Sequence, residues 1–289
     1  MNADHSSSGR CSGARPVAGH ASAALLAIGI AAACPSPAWA GRSCEVTPLT
    51  PQAMVAGLEQ AALTRQSLER EHAASGATVV LLARAGQDLS EYGLNYSHVA
   101  WAYRAQLPSG ISTWHVVHKL NHCGSDKASV YRQGLGEFFL DNLWQYRAAY
   151  VVPDSHWQTA LYRTLTDDRE AVRLHHERYS VVSYPWSTRY QQSNQWAIET
   201  LSMAVEPGVT DRNSAQAWLR FKGYKPTVLR ISALKRLGGR IGSANVAFDD
   251  HPGRQRWSSR IATTTADSIF VWMQSAGYGS KPVLVLPGA

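Results

Sequence analysis

Residues 96–103 read YSHVAWAY, residues 114–120 read WHVVHKL, and the segment between them, 107–112, contains Pro108 and Gly110. The first run alternates and predicts a strand. The middle predicts a hairpin loop and the second run its return strand. Upstream, 77–83 (ATVVLLA) is a short β-branched run, the signature of a buried strand, and 84–93 is a polar turn. Further back, Thr50 as N-cap and Pro51 at the first helical position start a helix. Its expected apolar stripe is Val55, Leu58, Ala62 and Leu68.

Downstream, 121–127 reads as a loop, 134–144 as one or two helical turns carrying Phe138, Phe139 and Leu143, and 149–152 as another strand. Asp154 caps a helix running to about Leu165, and 179–184 is extended before Pro185. Residues 194–203 have helical spacing through Trp196, Ile198, Leu201 and Met203; 215–221 form a second amphipathic helix closed by Gly223. A strand at 227–231, a loop around Asp249-Asp250-His251-Pro252 and a last helix capped near Thr265 complete the chain. Helices and antiparallel strands in blocks, without βαβ alternation, predict an α+β fold. No Pro- or Ser-rich linker divides it, so one domain over 41–289 is expected.

The 289 residues, 45% hydrophobic and 17% charged, are ample for one proper core. They exclude disordered, collagen-like and cysteine-dense classes. No apolar run is long enough for a multi-span membrane protein. The net charge of +7 is carried mostly by scattered Arg, with no basic block of the kind that marks a nucleic-acid arm. Nucleic acid is therefore not an expected partner. A solvated basic surface and attraction to anionic lipids or cell-wall polymers both stay open.

The first forty residues read as an address. Arg10 and Arg15 precede the apolar run 21–33 (ASAALLAIGIAAA), and Pro35 and Pro37 precede Ala38-Trp39-Ala40. This is a signal peptide with an A-x-A cleavage site. Cleavage after Ala40 leaves 249 residues with 26 basic and 20 acidic side chains. It predicts a periplasmic or secreted protein without an integral membrane span. Cys44 and Cys123 are the cysteines that remain, and an oxidising compartment predicts a disulfide between them.

Three positions carry candidate chemistry. His98, midway along a short strand, has the character of a general base. His118 on the return strand is placed to orient it. Ser193, within Gln192-Ser193-Asn194-Gln195-Trp196, lies at a helix start, where a nucleophile feels the helix N-terminus. Each also has a structural reading, as a hydrogen-bonded histidine or a helix cap. His115 and His118 point to opposite faces of a strand, and His175-His176-Glu177 cannot converge locally, so no metal is expected. Asp249-Asp250-His251 lacks a spaced fourth ligand. No phosphate loop or dinucleotide fingerprint is present, and no cofactor is expected.

This order of elements resembles the permuted papain-like amidases, which include the lecithin-retinol-acyltransferase-like proteins and bacterial NlpC-type cell-wall peptidases. The likeness covers about residues 77–205, leaving 206–289 as a C-terminal α+β extension. It implies an antiparallel sheet packed on helices, with His98 as base, His118 as orienting residue and the nucleophile at Ser193. Those families carry Cys where this chain has Ser193. A hydroxyl is far less acidic than a thiol and needs a well-placed base. Ser193 is thus a serine nucleophile, a relic in a binding protein, or a cap. The resemblance implies a hydrolase acting on cell-wall peptides or another small amide or ester. The alternative is an inactive binding protein on the same scaffold. A groove lined by Tyr96, Trp101, Tyr184, Trp186 and Trp196 would hold the ligand. At a finer level, 84–90 (RAGQDLS), Tyr96-Ser97-His98, 131–139 (YRQGLGEFF) and 184–190 (YPWSTRY) look like a bacterial family, domain of unknown function 2145. That family supplies no activity.

Overall fold

In the computed structural model, residues 48–242 and 244–288 are described. Residues 1–40, expected to be a signal peptide, and Cys44 lie outside them. Helix α1 (Pro51–Ser75) begins as the sequence predicts: the Thr50 hydroxyl accepts from the Ala53 amide at 3.1 Å. It ends at Gly76, whose φ of 75° is left-handed and suits glycine. Then come β1 (Val79–Ala85), a 3₁₀ turn at Ser90–Tyr92, β2 (His98–Gln106), β3 (Ser112–Asn121) and β4 (Ala128–Gly134). The short α2 (Leu135–Phe139) leads to β5 (Gln145–Val151), then α3 (Ser155–Thr166), α4 (Asp168–Val172), α5 (Ser193–Val205) and α6 (Arg212–Phe221). The C-terminal part holds β6 (Thr227–Arg230), α7 (Ala233–Gly242), α8 (Gly253–Trp257), β7 (Arg260–Thr263), α9 (Ala266–Ser275) and β8 (Val283–Val285). The fold class is α+β, as expected.

Six strands form one antiparallel sheet in the order β4-β3-β2-β1-β5-β8, and β6 pairs with β7 in a separate ribbon. Central β1 is buried along its whole length because helices cover both faces of the sheet. On one face Leu81, Val99, Trp101 and Val117 pack with Trp196, Ile198 and Leu201 of α5 and with residues of α3 and α9. On the other, Leu82, Ala100, Ala102 and Val116 pack with Leu68 of α1 and with Phe138 and Phe139 of α2. The period-two pleat sorts even and odd residues of β2 and β3 between these faces.

Helix α1 departs from its expected stripe. Val55 and Leu58 are exposed, and the buried face is Gly57, Gln60, Ala61, Thr64, Ser67 and Leu68. The reason is close approach. A Cβ on Gly57 would stand 2.8 Å from the Phe139 carbonyl oxygen. Gln60 donates to the Val285 carbonyl at 3.1 Å, and Ser67 shares a hydrogen bond with the Tyr150 hydroxyl. Small and hydrogen-bonding residues form this contact, so it leaves no apolar periodicity. β4 and β8, the sheet's edges, add two strands beyond those expected from the sequence.

Candidate functional site

His98 and His118 meet. Their rings, His98 Nε2 and His118 Nδ1, lie 2.9 Å apart, and His118 Nε2 lies 2.7 Å from Gln133 Oε1. The amide oxygen only accepts, so His118 carries its proton on Nε2 and accepts from His98 Nε2–H through Nδ1. This chain fixes the tautomer and plane of both rings. Both pack on Phe138, with ring centroids 6.0 and 5.4 Å away. Burial and the nearby Arg84 guanidinium push His118 down to about 4, against the raising effect of Gln133 and Asp141. His118 is therefore neutral at physiological pH.

Arg84, which the sequence places in a polar turn, instead extends β1 and is buried beside this pair. Its guanidinium lies 4.6 Å over the Phe138 ring, donates to the Phe138 carbonyl, and pairs with Asp141 at 3.0 Å. Sequence reasoning missed Arg84, Gln133 and Asp141. The signal for Arg84 was available: a charge directly abutting an apolar strand and sharing the face of Val80 and Leu82.

Ser193 is the first residue of α5, also as expected. Gln192 caps the helix and donates to Thr263 Oγ1 at 2.9 Å. Asn194 accepts from the Val99 amide at 2.9 Å and so docks the helix start on β2. The Tyr179 phenol faces Ser193, whose hydroxyl and amide partly offset the upward push of burial on Tyr179. Behind lies a buried polar network. Lys119 donates to the His176 carbonyl at 2.6 Å and to Gln191 at 2.8 Å. Burial first, then repulsion from Arg212, lowers Lys119 to about 6, while Glu199 opposes the shift. The Glu199 carboxylate receives Arg212, Gln191, Gln195 and Gln216.

His98, His118, Tyr96, Ser193, Gln192 and Asn194 border or lie close to one cavity of about 970 Å³, of which all but His118 are lining residues. The cavity runs around the end of the sheet, and the two chemical groups approach it from different sides. His98 projects toward Phe138, on the α2 face, whereas α5 and Ser193 sit on the Val99 face. Among the described residues, no hydrogen bond joins Ser193 to His98.

The expected aromatic groove is not assembled. Trp101 and Trp196 are wholly buried in the core, with Trp101 Nε1 donating to the Ala197 carbonyl at 2.9 Å. Tyr184 packs near His251, and Trp186 lies near Tyr224 beneath Arg220. Of the five candidates only Tyr96 lines the cavity. A residue's aromatic character marks burial as readily as binding. The acidic loop is likewise spent on protein partners: Asp249 pairs with Arg189 at 2.8 Å, and Asp250 with His251 at 2.9 Å. Among the described residues, no group of three metal-ligating side chains converges, and no helix is long and apolar enough to cross a membrane.

The chain belongs to a family described as uncharacterised proteins conserved in bacteria, domain of unknown function 2145, whose model matches residues 71–273. The match extends from the last turn of α1 to α9 and so includes His98, His118 and Ser193. No curated protein and no solved structure matches the chain.

Proposed function

We propose that this is an exported, periplasmic or secreted protein that binds a cell-wall peptide or another small amide- or ester-bearing ligand in the cavity at the end of the sheet. Its core is read as a divergent relative of the permuted papain-like amidases. The observation that carries the binding reading is the split between the two sheet faces: His98 points to the α2 face while Ser193 starts the helix on the other. A nucleophile and its base need to stand within hydrogen-bond reach, directly or through one water. Here the oriented imidazole supplies an ionisable hydrogen-bonding group to a ligand, and the start of α5 supplies a second polar wall.

Hydrolysis by Ser193, with His98 as base and His118 as its orienting partner, is the second reading. It is favoured by the common cavity and by the His98–His118–Gln133 chain, which holds one imidazole in a defined tautomer. Calorimetry with cell-wall stem peptides, together with a serine-reactive fluorophosphonate probe, separates the two. The binding reading expects affinity without turnover, no label on Ser193, a weakened complex in His98→Ala, and a sluggish thiol in Ser193→Cys. Labelling of Ser193 with loss of turnover in both Ser193→Ala and His98→Ala would replace it with the hydrolase. Absence of both binding and labelling overturns the choice of ligand class.

A further inference from the structure

The positive charge is weighted toward one stretch of the chain, and the fold sets part of it face to face. Residues 220–260 hold ten Lys and Arg against two Asp, a net +8, more than the +7 of the whole chain. Both carboxylates are already engaged, Asp249 by Arg189 and Asp250 by His251. Within this stretch the β6–β7 ribbon sets Arg230 directly opposite Arg260. The adjacent pair, Leu229 and Ile261, is buried, so the pleat sends both arginines outward on one face. Like charges directly opposite on a ribbon are destabilising. Among the described residues, no carboxylate pairs with Arg230, Arg254, Arg256 or Arg260.

The same end of the ribbon carries uncovered apolar surface. Trp257, 90% exposed, stands three residues before Arg260, and Leu234, 79% exposed, four residues after Arg230. A hydrogen bond from the Ile231 amide to the Ser259 carbonyl, 3.0 Å, holds the two segments together beyond the last strand pair.

We propose that this face docks the protein on an anionic phospholipid surface. Trp257 and Leu234 enter the headgroup layer while the four arginines lie over lipid phosphates. A soluble polyanion would use the arginines and leave Trp257 and Leu234 in water. A lipid interface takes both, because an indole is at home at headgroup level and basic side chains are drawn to the negative surface. Two signals, apolar insertion and a basic cluster, are what stable peripheral attachment needs. The inner side of the ribbon lines the cavity through Leu229 and Ile231, so docking holds the cavity beside the lipid. This inference stands whether the cavity binds or hydrolyses its ligand.

Cosedimentation of the full chain and its variants with phosphatidylcholine vesicles, with and without phosphatidylglycerol, tests it. Binding to the anionic vesicles is expected to weaken with salt. At about fivefold per arginine, Arg230→Gln with Arg260→Gln should weaken it on the order of thirtyfold. That double substitution also removes a cross-strand repulsion, so thermal unfolding should not drop. Trp257→Ala, with every charge kept, should lose binding severalfold. Equal binding to neutral vesicles, or variants that bind like the parent chain, overturns the proposal. So does a result in which the arginine variant loses polyphosphate while Trp257→Ala is silent on vesicles, since the partner is then a soluble polymer.

Discussion

Replacing Glu199 with Gln tests what fixes the start of α5 in place. The carboxylate is fully buried and receives five donors: Arg212 Nε at 2.7 Å, Arg212 Nη2 at 3.2 Å, Gln191 at 2.6 Å, Gln195 at 3.2 Å and Gln216 at 2.8 Å. Glutamine keeps the shape but turns one acceptor oxygen into a donor. If the amide nitrogen takes the Oε2 position it faces Arg212 Nε and Gln191; in the Oε1 position it faces three donors. Either way at least two hydrogen bonds to a charged acceptor become donor–donor clashes, and buried Arg212 loses its counter-charge. Breaking a buried pair from one side costs about 3–5 kcal/mol, consistent with about 1.5–3 kcal/mol for each lost bond to a charged group. In a domain of this size that is a drop in Tm of roughly 6–20 °C. Guanidinium unfolding followed by tryptophan fluorescence reads it as a lower midpoint at unchanged slope. The exposed Glu59→Gln serves as control and should stay within about 0.5 kcal/mol. A Glu199→Gln loss below about 1 kcal/mol would refute the argument that this network holds the helix.

Stability should fall in mild acid through His118. Its folded value, about 4, lies below the unfolded 6.5, so the unfolded chain takes up the proton first. The contribution is therefore complete above about pH 6.5 and is lost as pH falls through 4, amounting to about 3 kcal/mol at 1.4 kcal/mol per unit. The difference between parent and His118→Asn unfolding curves at pH 7 and pH 4 should shrink by that amount; parallel curves would count against it. Gly57→Ala ordinarily stabilises a helix by about 1 kcal/mol, yet here the added methyl meets the Phe139 carbonyl at 2.8 Å, and net destabilisation is expected in urea titration. A Cys44–Cys123 disulfide should appear as absent free thiols in denatured, unreduced protein, and its reduction should cost on the order of 4 kcal/mol.

Local chemistry was written plainly in the sequence. Thr50 with Pro51, Asp154 and Thr265 mark helix starts because a side-chain oxygen satisfies a free amide within its own turn. The run at 79–83 and the Pro108–Gly110 hairpin need nothing beyond neighbouring residues. Even the meeting of His98 and His118 was legible, since a hairpin with Trp101 opposite Val117 puts even positions of both strands on one face. The assembled layers decided the rest. Parity says that His98 and Val99 point apart, but only the packing of α2 on one face and α5 on the other decides which helix each of them meets. Trp101 and Trp196 became core, and α1 turned its small residues inward, because side-chain type specifies what a residue tolerates and not which neighbour it will meet. The basic face is the same case only in part: the richness of 220–260 in Lys and Arg is written in the sequence, whereas strand pairing sets Arg230 opposite Arg260. Patterns of period two and 3.6 record a residue's own element, whereas contacts between distant elements exist only once the register and layers are set.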